Sequence, residues 1–308
     1  MSQRLAGNII AMVSMALWAS GFVALQALLR SWDPLLLAPL RMALAALALT
    51  LVLGLGGRLG ELRALSWRQA LITGGLGLGC SGLLIVWGQS KSDALTASII
   101  TTALPLLAAL MSAAAGDERL RASLLGGVGL AICGGLLATL GTAQAGPGFR
   151  GGEVMVLGAI LFFVWYSRRT VTHFPGVRDL PKTAAALISG TLVLLVFAAL
   201  GLGTGLAEPR YDFSPRALLL LAWMGPIAFA GASFLWLRAT RMLGVTVAGI
   251  HQNEIPFFVM ALLLAFGGTF DWLHVAGAVL VLAGAGLAQM RQVMPLLQSH
   301  GRQKGDGT

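Results

Sequence analysis

The sequence predicts an all-α integral membrane protein of ten transmembrane helices, built as two five-helix repeats of inverted topology. Three observations carry the prediction: a composition that water cannot solvate, a count of ten apolar runs, and one segment written twice. The 308 residues are 57% hydrophobic and 11% charged, with 41 glycines and a mean hydropathy of +0.83. A soluble domain carries roughly a quarter charged residues, so the medium around most of this surface is lipid. Apolar runs fall at about 7–28, 34–54, 70–88, 94–114, 124–141, 153–167, 183–203, 217–237, 245–266 and 272–290. Most reach the roughly 17–25 residues needed to span a bilayer as a helix, and 153–167 is the short one. Strict apolar–polar alternation is absent, which argues against a transmembrane barrel.

The duplicated segment fixes the arrangement. Shifted by 151, residues 95–137 overlay 246–288 without a gap, and Ala97, Ile99, Pro105, Ala114 and Gly126 meet Ala248, Ile250, Pro256, Ala265 and Gly277. Trp18-Ala19-Ser20 is echoed by Trp165-Tyr166-Ser167 at an offset of 147. The halves are then 1–141 and 153–290, joined by a glycine- and proline-containing linker at 142–152, with a polar tail at 291–308. Five spans per half make the second enter from the opposite face, which inverts the repeats.

Charge sets the orientation. The formal charge of +9 resides mostly in the short segments between runs and forms no basic face, so nucleic acid is not an expected partner. With a cytoplasmic N-terminus, fifteen of the 21 Lys and Arg residues fall on the inner side and five on the outer, Arg41 being the one within a span. By the positive-inside rule both termini are cytoplasmic, in an inner membrane. Residues 1–25 resemble a signal peptide only superficially: the run is too long, and nine more come after it. Cys80 and Cys133 lie in apolar runs and read as small buried hydrophobes, not as a disulfide or metal pair.

The least expected stretch is His251-Gln252-Asn253-Glu254-Ile255-Pro256 in the ninth run. Glu254 lies nine residues, or about 14 Å, into the span from Val245. An ionisable group there normally faces a cavity or a partner. His251 and Glu254, three apart, share a helix face. They read as a substrate-ammonium or proton site, or as a polar pair fixing helix contact. Pro256, lacking an N–H, is expected to leave the Gln252 carbonyl as a free acceptor. Arg41, seven residues into the second run, reads as a contact for a substrate carboxylate or as a snorkelling side chain. Gln89 reads as reaching a vestibule or as a solvated helix end. Trp18 and Trp165, equivalent in the repeats, are candidates to line one cavity with Tyr166 and Thr101, while Trp32, Trp67 and Trp272 read as interfacial anchors. Gly79, Pro105, Pro226 and Pro256 are the candidate hinges, with Gly74, Gly75, Gly77 and Gly225 beside them.

The pattern Ala94-Leu95-Thr96-Ala97-Ser98, Pro105, Gly116-Asp117-Glu118-Arg119-Leu120, Gly126 and Gly134 resembles the EamA family of the drug/metabolite transporter superfamily. Trp18-Ala19-Ser20-Gly21-Phe22 and Arg41 fit the same likeness. It implies the ten-helix fold, cytoplasmic termini and an exporter. The 251–256 stretch and the layout are most similar to the aromatic amino-acid exporters. One departure is Gly267-Gly268-Thr269-Phe270-Asp271, where the family often follows glycine directly with glutamate. The function expected is export of amino acids, aromatic and other hydrophobic ones among them, and of related small metabolites by alternating access. The cavity would lie between spans one, three, four, six, eight and nine. A multidrug or nucleotide-sugar carrier is the alternative, and the scarcity of intramembrane cations argues against strongly anionic phosphorylated substrates. No metal-ligand set or Ser/His/Asp constellation accompanies His251, so neither an enzyme nor a cofactor is expected. A monomer in the bilayer is the expected state.

Overall fold

The computed structural model describes residues 3–114, 122–140, 151–174, 176–243, 245–268, 272–284 and 287. The greater part of the linker, the 116–120 motif, residues 269–271 and the tail lie outside the described residues. Every regular element among the described residues is helical. They are α1 (Gln3–Leu28), α2 (Pro34–Leu55), α3 (Trp67–Lys91), α4 (Ala94–Thr101), α5 (Leu104–Ala114), α6 (Ala122–Leu140) and α7 (Gly152–His173). After them come α8 (Asp179–Gly203), α9 (Pro215–Leu243), α10 (Val245–Ile250), α11 (Ile255–Ala265) and α12 (Trp272–Gly284). Six stretches, α1, α2, α3, α8, α9 and Ala248–Ala265, are long and apolar enough to cross a membrane. Their outward faces are bare hydrocarbon: Leu55 is 91% exposed and Leu219 72%. Water does not tolerate such a continuous apolar surface, whereas lipid does.

Two of these helices change their winding midway. Leu71–Gly79 in α3 and Trp223–Gly231 in α9 are nine-residue π-helical segments, 152 residues apart. The wide turn has a local cause in each. Pro226 has no N–H to donate, and its ring displaces the carbonyl four residues back, so a longer repeat relieves the clash. In α3 the cause is close approach: a Cβ on Gly74 would lie 2.5 Å from the Cα of Ala186, and one on Gly79 3.2 Å from the Cα of Gly190, both in α8. Gly225 makes the counterpart approach, where a Cβ would come within 2.9 Å of the Arg41 carbonyl in α2. Thus α8 packs on the first π segment and α2 on the second, while α2 and α8 pack on each other. Likewise α7 packs along α3, and α1 along α9.

The proline-containing runs are broken rather than kinked. Residues 94–114 divide into α4 and α5 around a turn at Thr102 and Ala103, and Pro105 is the second residue of the new helix. At that position a missing N–H costs nothing, because the first-turn donors have no intrahelical acceptor. Hydroxyls cover the carbonyls before the break: Thr101 Oγ1 donates to Ser98 O at 2.6 Å and Thr102 Oγ1 to Ile99 O at 2.7 Å. Pro256 stands in the first turn of α11, behind a 3₁₀ turn over His251–Glu254. The Gln252 carbonyl is therefore not free, since the Ile255 N–H reaches it in the tighter 3₁₀ pattern.

The loop after α1 also departs from expectation. Trp32 is not an interfacial anchor: it is 3% exposed, and its Nε1 donates to Asp212 O at 3.1 Å. Asp212 receives the Ser214 N–H and hydroxyl at 2.8 and 3.1 Å, with the Ser31 hydroxyl at 3.4 Å. These donors hold its carboxyl below the usual aspartate range. A depressed folded-state pKa stabilises the docked loop above the ordinary value and ceases to do so as pH falls through the lowered one. Trp32 fluorescence should therefore change on acidification below the ordinary aspartate range, and Asp212→Ala should show the acid-form signal at neutral pH. An unaltered spectrum in that variant would count against the clasp.

Candidate functional site

A cavity of about 110 Å³, open at its mouth, lies between the helices. α1, α3, α4, α5, α7, α9 and the 252–255 stretch all contribute walls, and α2 adds Arg41. The lining is aromatic and aliphatic: Trp18 and Phe22 of α1, Ile85 of α3, Phe163 of α7, Phe229 of α9 and Ile255 among others. Trp18 meets Phe163 edge-on at 5.6 Å and Trp236 at 5.7 Å, forming a rigid aromatic corner. Its polar groups are few: Arg41, Ser81, Thr101 and Gln252.

Arg41 decides the electrostatics. It is 7% exposed and does not snorkel to the membrane edge. Its guanidinium stacks over Phe229, 4.4 Å from the ring centroid, and Nη2 donates a long 3.4 Å bond to Gly82 O. Nε is buried with no acceptor. Among the described residues no carboxylate lies within salt-bridge distance of it. A permanent charge thus sits in a low-dielectric wall, held by one carbonyl and one aromatic face.

The 251–254 stretch presents a different residue to the cavity than its sequence suggests. A 3₁₀ turn advances about 120° per residue, so positions three apart eclipse. His251 and Glu254 form one row and Gln252 and Ile255 another. The second row lines the cavity. Gln252 is 3% exposed, and its amide nitrogen has no partner. The first row turns to α1: His251 Nδ1 and Glu254 Oε1 are 2.7 Å apart, and His251 Nε2 is 3.2 Å from Asn8 Oδ1. The pair ties the helix break to α1 and is not part of the cavity lining.

The other candidates divide between the cavity wall and the packing behind it. Trp18 and Thr101 line the cavity. Trp165 does not: its ring lies against Gly77 of the first π segment, with Arg169 5.7 Å from its centroid, and Phe163 occupies the wall instead. Tyr166 is buried beneath Phe163, at 5.9 Å between centroids. Gln89 is fully buried, neither vestibular nor solvated, and donates to Phe22 O at 2.8 Å and Gln26 Oε1 at 3.2 Å. It fastens α3 to α1. Gly79 and Pro226 lie in the two π segments, and Pro105 and Pro256 just beyond the two breaks.

Residues 5–140 match the EamA-like transporter family. That match supports a membrane transporter of the drug/metabolite transporter superfamily, and a transporter in place of an enzyme. A Bacillus subtilis (strain 168) protein described as the uncharacterized transporter YdfC is 26% identical over 281 residues, covering 84% of this chain and 88% of that protein. One crystal structure superposes with a TM-score of 0.68 at 18% identity, covering 92% of this chain and 96% of the other. At that identity the likeness is one of fold.

Proposed function

We propose that the protein exports amino acids, aromatic and other hydrophobic ones, and related small metabolites across the inner membrane by alternating access. The observation that carries this reading is Arg41, a buried guanidinium that has no counter-ion among the described residues, in the wall of a mainly aromatic and aliphatic cavity. A substrate carboxylate supplies the missing charge, and Trp18, Phe163 and Phe229 receive the side chain. A phosphorylated sugar nucleotide would bring several negative charges to one guanidinium, so the nucleotide-sugar alternative is the poorer fit. The likeness of the 251–256 stretch to aromatic amino-acid exporters points the same way.

The ten-span inverted repeat belongs to this proposal. It is supported by two π segments 152 residues apart and two proline breaks 151 apart. The reciprocal packing of α3 with α8 and of α9 with α2 also supports it. Two halves of one design and opposite orientation reach inward- and outward-open shapes at similar energy. The cytoplasmic placement of both termini rests on the charge count. Counterflow of labelled phenylalanine in vesicles loaded with unlabelled phenylalanine tests the function. Saturable, competitive uptake is expected; vesicles that show none above protein-free controls would remove amino acids from the proposal.

A further inference from the structure

We infer that the cavity recognises its cargo by the carboxylate alone, so that amphipathic monocarboxylates lacking an amino group bind as well as the corresponding amino acids. The inference rests on the cavity being the transport site. Its ground is the chemistry of the groups left without partners. Two buried, partnerless side-chain atoms belong to residues that line the cavity, Arg41 Nε and Gln252 Nε2, and both are N–H donors. Buried carboxylate and amide oxygens without partners, namely Glu153 Oε2, Glu254 Oε2, Asn253 Oδ1 and Gln89 Oε1, belong to residues outside the lining. Among the described residues the lining contains no Asp or Glu.

A site with unfilled donors and a fixed positive charge gains on receiving an anion with free lone pairs, and a carboxylate brings two oxygens of that kind. An ammonium brings three donors and a positive charge, is repelled by Arg41, and finds no carboxylate in the wall. In a zwitterion the carboxylate therefore supplies the binding, and the ammonium is carried along near the aromatic faces of Trp18 and Phe163. Removing it takes away a group that the site does not satisfy.

The test is a binding panel on the purified full-length protein in detergent, using 3-phenylpropionate, phenylalanine and phenethylamine. These share a ring and differ in the charged end. The expected result is binding of 3-phenylpropionate no weaker than phenylalanine, and no saturable binding of phenethylamine. Arg41→Gln should weaken 3-phenylpropionate by about tenfold to a hundredfold, the loss of one charge-assisted interaction. Phenethylamine binding as tightly as 3-phenylpropionate, or 3-phenylpropionate failing to bind, overturns the inference. The panel on the unsubstituted protein decides it even where Arg41→Gln does not fold. The two proposals fail separately. Binding of 3-phenylpropionate without phenylalanine counterflow sinks amino-acid export only, and counterflow without 3-phenylpropionate binding sinks carboxylate-only recognition.

Discussion

Gly74→Ala should lower the melting temperature of the purified protein by several degrees and reduce transport more than any single change in a loop. The added Cβ would sit 2.5 Å from the Cα and 2.8 Å from the carbonyl oxygen of Ala186. Both are backbone atoms of a packed helix and cannot swing aside as a side-chain tip can. Overpacking of this kind costs about 1–3 kcal/mol, and each kcal/mol moves a melting temperature by roughly 2–4 °C in a chain of moderately large size. Functional loss should exceed the thermal loss, because Gly74 lies in the π segment where α3 packs on α8, a contact that the proposed alternating access requires to move. Gly225→Ala should behave alike, its Cβ falling 2.7 Å from Leu44 Cβ and 2.9 Å from the Arg41 carbonyl. Gly60→Ala is the control, since nothing lies within 4 Å of the new methyl. Melting and counterflow for Gly74→Ala that coincide with those of Gly60→Ala would show that the helices do not meet as described.

The approach at Gly74 was readable in outline from sequence, because four glycines within six residues of an apolar run have few uses besides close packing. That Pro105 and Pro256 disturb their helices was readable too, but not that the helices break there, since Pro39 lies inside an unbroken α2. The facing of side chains was not readable. An apolar helix is hydrophobic all round, so composition gives no sign of which side meets a cavity. Trp165 and Phe163 are two residues apart on α7, and only the packing against α3 decides that Phe163 reaches the wall. Gln89 at a helix end gave no sign that Phe22 O and Gln26 would enclose it. Gln252 was hidden for a sharper reason. His251 and Glu254 drew attention by their charge, but the choice of a 3₁₀ turn over an α turn decides which neighbours point inward. That choice is set by Pro256 and by contacts with α1.

Pro256→Ala should leave the protein as stable as before, or more so, and cut the transport rate at least tenfold. Proline in the first turn of α11 costs nothing as it stands. Alanine supplies an N–H that can reach the Gln252 carbonyl, four residues back, and has the highest helix propensity. The 3₁₀ turn then has reason to relax into one α-helix continuous from α10 to α11. Going from about 120° to about 100° per residue over four residues rotates the stretch by roughly 80° relative to α11. Gln252 leaves the cavity wall, and His251 leaves Asn8. A cysteine pair at positions 8 and 251 reports the second movement directly: it should cross-link readily with Pro256 present and poorly with alanine there. Pro105→Ala offers the parallel case, with Thr101 the cavity residue displaced. Wild-type transport together with unchanged 8–251 cross-linking in Pro256→Ala would mean that the surrounding helices, not the proline, hold the turn. Stability that holds while transport falls is the outcome separating a hinge from a mere packing defect, because overpacking at Gly74 lowers both and a relaxed turn at 256 lowers only one.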